Sequence, residues 1–374
     1  MSTGAQEQVQ VAVVGAGVVG CAVSLELARR GVEVALLEAE PEPGLAASGT
    51  NSGILHTGFD SEPGELETEL ILASARLWDE VTAALEIPVV RCGAVMRAGG
   101  AARDVVSRAR ANGVPAHGLE GGDVEIPVES VTDPVAYTLA LAAEAVRQGA
   151  TLLTGHRVVA IDRGPTVRTG GGGEIRSAVV VNCAGLYADD VARLAGDDSF
   201  AIFPRKGEFL VFDPPGGAPL ERILLPVPTT RTKGVLVFPT IDGRVVAGPT
   251  AVDLEDKRDW SVRPEARAEI LPKAVSIYPP LDGAEPITAY AGLRPAGRGL
   301  NYVIGPSAAC PALVNVAAIR STGLSASLGI AAHVAGIVES LGVRLGPRRV
   351  LIGGAPPRHS EPWWRRTAEF RAAA

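Results

Sequence analysis

The sequence predicts an α/β fold: a parallel-sheet domain of βαβ type, interrupted along the chain by a second domain with a mostly antiparallel β-sheet. Three observations predict it. From Val9 to Glu38 a short β-branched strand runs into a glycine-rich turn, a helical pattern and a second strand ending on an acid. Apolar strands of the same kind return at Val179 to Asn182 and at Leu313 to Ala317, each after a long excursion. Beyond Phe200 the pattern changes to short strands and turns, with Asp242-Gly243 between two apolar runs as a hairpin signal.

Taken in order, Val9 to Val14 delivers Gly15-Ala16-Gly17-Val18-Val19-Gly20, and a helix with Ala22, Leu25, Leu27 and Ala28 ends at Arg29-Arg30-Gly31. Val32 to Leu37 is the second strand and Glu38 closes it. This is a G-x-G-x-x-G turn with its acid about twenty positions on, in the strand–turn–helix setting of a Rossmann-like dinucleotide site. The glycines let backbone approach a pyrophosphate, the helix N-terminus offers N–H groups to it, and Glu38 accepts from an adenosine ribose. Ala39 to Gly44 is turn-rich, and Leu45 to Gly58 is dense in small polar residues. Pro63-Gly64 opens one helix with Leu66, Leu70, Ala73, Leu77, Val81 and Leu85 on its apolar face.

Arg91 to Ala98 reads as a strand, Ala101 to Ala111 as a surface helix. Asp133-Pro134 starts a helix running to Gly149, the acid capping and the proline at the first position. Strand material follows at 150–153 and 156–161, then a glycine-broken hairpin from Val167 to Val181. Val179 to Asn182 leads to Cys183-Ala184-Gly185 and a helix from Tyr187. Gly234 to Phe238 and Arg244 to Gly248 form the hairpin, Ala291 to Pro295 leads back to the first domain, and a long helix runs from Leu324 to about Leu341. The tail after Gly342, rich in Pro and Arg, reads as an extended or partly disordered arm, with Trp363-Trp364 packing on its own domain rather than on a membrane or partner. These readings give a cofactor domain at 1–88, 134–198 and 290–345, a substrate domain at 89–133 and 199–289, and an arm at 346–374.

Composition narrows the classes. A chain of 374 residues can hold two cores, and a net charge of −7 without basic clusters argues against nucleic acid. Cys21, Cys92, Cys183 and Cys310 are scattered without a C-x-x-C, which points to reduced thiols and no metal site. The N-terminus has no export pattern and no apolar run reaches spanning length, so a cytoplasmic protein without an integral membrane segment is expected.

The order of segments favours flavin over nicotinamide. A nicotinamide dehydrogenase would continue with alternating parallel strands and helices. Here the βαβ unit is followed by a small-residue loop, a long excursion, a Val-Val-Val-Asn-Cys-Ala-Gly strand and a glycine turn opening the last helix. One elongated FAD touched by scattered segments accounts for that order. The contacts expected are Gly15, Ala16, Gly17, Val18, Val19, Gly20, Glu38, Ala39, Ala47, Ser48, Thr50, Asn51, Ser52, Val158, Cys183, Ala184, Gly185, Gly292, Arg294, Thr322, Gly323 and Leu324. The N-terminus of the last helix would favour the negative charge of a reduced flavin.

Seven segments carry a resemblance over nearly the whole chain: Asn51 to Gly58, Asn182 to Ala188, Phe203 to Glu208, Lys233 to Thr240, Gly248 to Thr250, Ala291 to Pro295 and Ile319 to Leu324. Together they resemble the D-amino-acid-oxidase-like FAD-dependent oxidoreductases, whose fold is a FAD-binding Rossmann-like domain of the D-amino-acid-oxidase/glutathione-reductase type. Within that superfamily the sequence is similar to the short glycerol-3-phosphate dehydrogenases and oxidases, with L-2-hydroxyglutarate oxidases close by. The resemblance implies that Ser52 and His56 sit beside the flavin with His56 as base, and that Lys233, Arg294 and Ser321 hold the anionic substrate. It implies oxidation of the secondary alcohol of glycerol 3-phosphate, with oxygen or another electron acceptor. An L-2-hydroxyacid oxidase, an amine or amino-acid oxidase, and a flavin-binding protein without turnover are the alternatives. The chain lacks the helical C-terminal domain of the long respiratory enzymes, so quinone delivery at a membrane is not expected.

Overall fold

The computed structural model describes residues 6–162, 164–228, 234–357 and 361–373. Strand β1 (Val11–Val14) is buried at every position and feeds helix α1 (Val18–Ala28), whose residues are almost all buried, a core helix rather than a surface one. Strand β2 (Val34–Leu37) returns parallel to β1, register Val11↔Val34 to Val14↔Leu37. Helix α2 (Leu66–Ala75) is separate from a short helix at Trp78–Ala84, so the single helix expected from Pro63 onward is two. The apolar spacing runs on across the break, where Trp78 enters the core.

A short strand β3 (Ser130–Thr132) precedes helix α3 (Pro134–Arg147), whose cap is the expected one: Asp133 Oδ1 accepts from the N–H groups of Val135 and Ala136. Strand β4 (Thr151–Leu153) joins the edge of the parallel sheet, and strand β5 (Val179–Asn182) sits at its centre beside β1. Strand β6 (Ile202–Phe212) is eleven residues long, not one of several short strands. It pairs along ten residues with strand β7 (Thr288–Gly297), so Ala291 to Pro295 continues the antiparallel sheet before the chain leaves it. Strand β8 (Leu313–Ala317) then completes the parallel set against β5, and helix α4 (Gly323–Ser340) follows.

Among the described residues the result is a six-stranded sheet, parallel except at one edge, and a nine-stranded, largely antiparallel sheet that contains β6, β7 and the hairpin Leu236–Pro239 with Val245–Gly248. A small four-stranded sheet includes Gln6–Gln8, which sequence reading left unassigned, and a three-stranded one pairs Ile54–Leu55 with β3. Each large sheet has its own apolar core. Helix α4 is long and apolar enough by length and composition to cross a bilayer, an exception to the expectation that no run is. It packs against α1 and α2 as a core helix, so close to α2 that a Cβ on Gly329 would lie 2.1 Å from the Leu70 carbonyl oxygen.

The described residues of the arm after Gly342 pack on the protein's own surface. Arg348 pairs with Glu26, and the N–H of Arg349 donates to the carbonyl of Arg29. Helix α5 (Trp363–Ala373) follows, with Trp363 and Trp364 buried against the antiparallel sheet.

Candidate active site

The glycine turn after β1 is built for close backbone approach. Gly15 has φ +99°, and a Cβ there would lie 2.6 Å from the carbonyl oxygen of Cys183 at the end of β5. A Cβ on Gly20 would lie 1.9 Å from the Gly15 oxygen, so only glycine lets α1 start this close to the sheet. Glu38, at the end of β2, accepts from the N–H of Ala16 (2.7 Å) and of Glu40 (2.9 Å), and burial pushes its carboxyl above the usual range. Ser48 Oγ accepts from the Val18 N–H at 2.9 Å, tying the loop after Ala39 to the first turn of α1. Ala39 and Val158 flank this end, where the N–H of His156 donates to the Glu38 carbonyl. Ala184 and Gly185 lead into the short turn before the helix at Ala188–Leu194, and burial pushes the Cys183 thiol up and out of reactive range. A turn packed so tightly that a Cβ at Gly15 or Gly20 would strike backbone, closed by an acid and a helix N-terminus, fits the pyrophosphate and ribose of FAD.

The loop then crosses to the second sheet. A Cβ on Gly292 of β7 would lie 2.7 Å from the Thr50 carbonyl, so Thr50 and Asn51 run directly over that strand. Gly53, φ +75°, lets the chain fold against Thr132, whose N–H donates to the Gly53 carbonyl. Ile54–Leu55 then pairs antiparallel with β3, Ile54 opposite Val131 and Leu55 opposite Ser130. That register carries His56 to Glu129. His56 Nδ1 lies 2.9 Å from Glu129 Oε2, and Glu129 Oε1 accepts from both the N–H and the hydroxyl of Thr57 at 2.7 Å. The Glu129 side chain is 0 % exposed. The His56 N–H donates to Ser325 Oγ on α4 at 2.9 Å, which fixes the loop from the other side.

His56 lines a cavity of about 370 Å³ shared with Ala47, Thr50, Asn51, Ser52, Gly292, Arg294 and Ser321. Arg294, on β7, reaches across β6: its Nε donates to the Arg205 carbonyl, and its Nη2 to the carbonyls of Lys206 and Thr250. Gly207 leaves the guanidinium its room, since a Cβ there would lie 2.8 Å from Nη2. Burial, helped by neighbouring Arg205, pulls its pKa down to about 10, which leaves it cationic at neutral pH. Among the described residues no carboxylate lies within ion-pair distance of it, whereas Arg205 is paired with Asp253 and Arg320 with Glu67.

The turn just before α4, at Arg320 and Ser321, forms the far wall. Tyr302, Ala318 and Arg320 all have positive φ (49°, 56° and 53°), a cluster of left-handed non-glycine residues in and just before this wall. Glu67 accepts from Asn301, Arg320 and Thr322, each at 2.7 Å. Burial acts to raise the Glu67 carboxyl, but those donors and the Arg320 charge together bring it below its ordinary value. Thr322, Gly323 and Leu324 sit here, at the N-terminus of an eighteen-residue helix whose N-cap makes no side-chain capping bond.

The predicted residues therefore fall in two places along one surface. Gly15 to Gly20, Glu38, Ser48 and Cys183 to Gly185 surround the glycine turn, while Ser52, His56, Arg294 and Ser321 share the cavity. Lys233 lies outside the described residues. Lys206 and Glu208, part of the Phe203 to Glu208 resemblance, do not reach the cavity: Lys206 pairs with Asp259 and Glu208 with Arg263. Glu129 was missed, since it stands 73 residues from His56 and only the pairing of Ile54–Leu55 with β3 brings it near.

The profile described as DAO, FAD dependent oxidoreductase, matches residues 10–337. A glycerol 3-phosphate dehydrogenase of Caloramator mitchellensis is 30% identical over 362 residues, 90% of this chain and 75% of that one. An L-2-hydroxyglutarate dehydrogenase of Escherichia coli K12 is 26% identical over 266 residues, 64% of this chain and 63% of that one. Among solved structures, dithionite-reduced L-α-glycerophosphate oxidase from Mycoplasma pneumoniae with FAD bound superposes with a TM-score of 0.86 at 24% identity, covering 94% of this chain and 100% of that one.

Proposed function

The chain belongs to the FAD-dependent oxidoreductase family, and from that premise we propose that it oxidises the secondary alcohol of sn-glycerol 3-phosphate to dihydroxyacetone phosphate, with His56 as the base. One observation carries the reading: His56 and the guanidinium of Arg294, a cation without a carboxylate partner among the described residues, line the same cavity.

Such an oxidation takes a proton from oxygen and a hydride from the adjoining carbon. His56 suits the proton. Its Nδ1 is engaged by Glu129, so Nε2 is the nitrogen left to accept from the C2 hydroxyl. Bound FAD supplies the hydride acceptor, flavin N5. The chain would hold it through the backbone at Gly15 to Gly20, Glu38, Ser48 and the first turn of α4. Arg294, held by three backbone carbonyls at Nε and Nη2, keeps Nη1 and its positive charge for the substrate's anionic group. The hydroxyls of Ser52 and Ser321 line the same space and would hydrogen-bond that anion or the neighbouring hydroxyl. Lys233, assigned to phosphate by resemblance, joins Arg294 in this proposal. Turnover further requires oxygen or another electron acceptor.

A second reading, oxidation of an L-2-hydroxyacid such as L-2-hydroxyglutarate, is favoured by the same arginine, since a carboxylate accepts from its remaining Nη1 donors as well as phosphate does. Anaerobic flavin bleaching by glycerol 3-phosphate, L-2-hydroxyglutarate and a small amine panel separates the readings, and bleaching by none of them would leave a flavoprotein without this turnover. His56→Asn should retain bound flavin and reduce it at least ~100-fold more slowly, the low end of a general-base effect. An unchanged rate in that variant removes His56 from its role.

A further inference from the structure

We propose that Glu129 is a positioning residue that sets the tautomer of His56, holding the proton on Nδ1 so that Nε2 faces the cavity with a free lone pair. The inference rests on the reading of His56 as the base.

The hydrogen-bond inventory around the carboxylate leaves little choice. Glu129 Oε1 faces two donors on Thr57, the backbone N–H and the hydroxyl, both at 2.7 Å. The N–H can only donate, so the atom opposite it must accept. Oε2 is left for His56 Nδ1 at 2.9 Å, and a carboxylate in its ionised form only accepts, so in that form it holds the hydrogen on Nδ1. Among the described residues His56 is the single group within ion-pair distance of this fully buried carboxylate. The ring has little freedom to escape: it is 13 % exposed, and its own backbone N–H is held by Ser325 on α4.

The same inventory says what an amide would do. In Glu129→Gln the carbonyl oxygen must take the Oε1 place, because an amide NH2 there would meet the Thr57 N–H hydrogen to hydrogen. The NH2 is therefore turned toward His56 and donates to Nδ1. That drives the ring proton to Nε2, the atom that should accept from the substrate. Size and packing are almost unchanged while the lone pair is aimed the wrong way. A comparable carboxylate-to-amide change beside a catalytic histidine in a serine protease costs about 10⁴ in rate for this reason.

The test uses the holoenzyme labelled with ¹⁵N-histidine. At mildly alkaline pH the wild type should show His56 with a protonated Nδ1 and a pyridine-like Nε2, and Glu129→Gln the reverse. In stopped-flow experiments with glycerol 3-phosphate, Glu129→Gln should bind FAD and substrate as the wild type does and reduce the flavin at least ~100-fold more slowly. A wild-type His56 protonated on Nε2 overturns the inference, and this holds even if the variant fails to fold. Equal reduction rates in Glu129→Gln also overturn it, as does a slow rate accompanied by lost flavin or weakened substrate binding, which would mark a structural role. His56→Asn distinguishes the two layers: a fast His56→Asn enzyme refutes the base itself, whereas a slow His56→Asn beside a fast Glu129→Gln refutes only the tautomer role.

Discussion

Arg294 and Lys206 are neighbours across the β6–β7 ladder, and their fates show how local surroundings decide whether a cation is available. Lys206 is fully buried and spent on Asp259 and the Ser261 carbonyl. Among the described residues Arg294 is bonded only to backbone carbonyls, which orient it without neutralising it. Replacing Arg294 by Gln removes one charge-assisted contact of about 1.5–3 kcal/mol, so the Kd for an anionic substrate should rise roughly 10- to 100-fold in flavin-reduction titrations. Glu67 makes a pH prediction. Its folded-state pKa lies below the ordinary carboxylate value of ~4.3, so its contribution is full above that value and disappears as pH falls through the folded one. Glu67→Gln should therefore melt below the wild type near neutrality, and the two curves should converge as pH falls through the lowered folded-state pKa.

At the scale of elements, α4 is the organising piece. It packs on α1 and α2, follows directly on the Arg320-Ser321 turn that lines the cavity, and anchors the His56 loop through Ser325. Gly329 is the closest point of its contact with α2. In an exposed helix Gly→Ala stabilises by about 1 kcal/mol, but here the new Cβ meets backbone 2.1 Å away. The clash should win: overpacking of this kind costs about 1–3 kcal/mol, and Gly329→Ala should lower Tm. A stabilised variant would mean that α2 can retreat freely.

For the whole molecule, the C-terminal helix joins the two halves of the site. Arg371 Nε donates to the Leu45 carbonyl at 2.6 Å, Arg366 pairs with Glu42, and Trp364 Nε1 donates to Asp242 at 3.2 Å. Trp363 meets Tyr290 edge-on at 5.6 Å. The loop that α5 clasps on one side is the loop carrying Ser48 and Thr50 on the other. Removing residues 361–374 should speed FAD release about tenfold or more, a loss of about 1.4 kcal/mol in retention, measured by flavin fluorescence on dilution. Release at the wild-type rate would show that the clasp does not reach the cofactor.

The βαβ turn, the Asp133 cap and the hairpin around Asp242-Gly243 could be read directly, because each depends on neighbours within a few residues: a glycine where a Cβ would clash, a side-chain oxygen two or three residues before the N–H it accepts from, a turn pair between apolar strands. The sequence likewise pointed to the loop holding Ser52 and His56, since small polar residues flanked by glycines cannot make core or charged surface. Other features could not be read this way. The periodicity of 66–85 does not register a break that keeps the same face inward, and the length of β6 depends on a partner strand some eighty residues away. Above all, the pairing of His56 with Glu129 exists only because Ile54–Leu55 and β3 align in one antiparallel register. A carboxylate and an imidazole far apart in the chain carry no mark of that meeting, because register is fixed by packing between segments rather than by either segment alone.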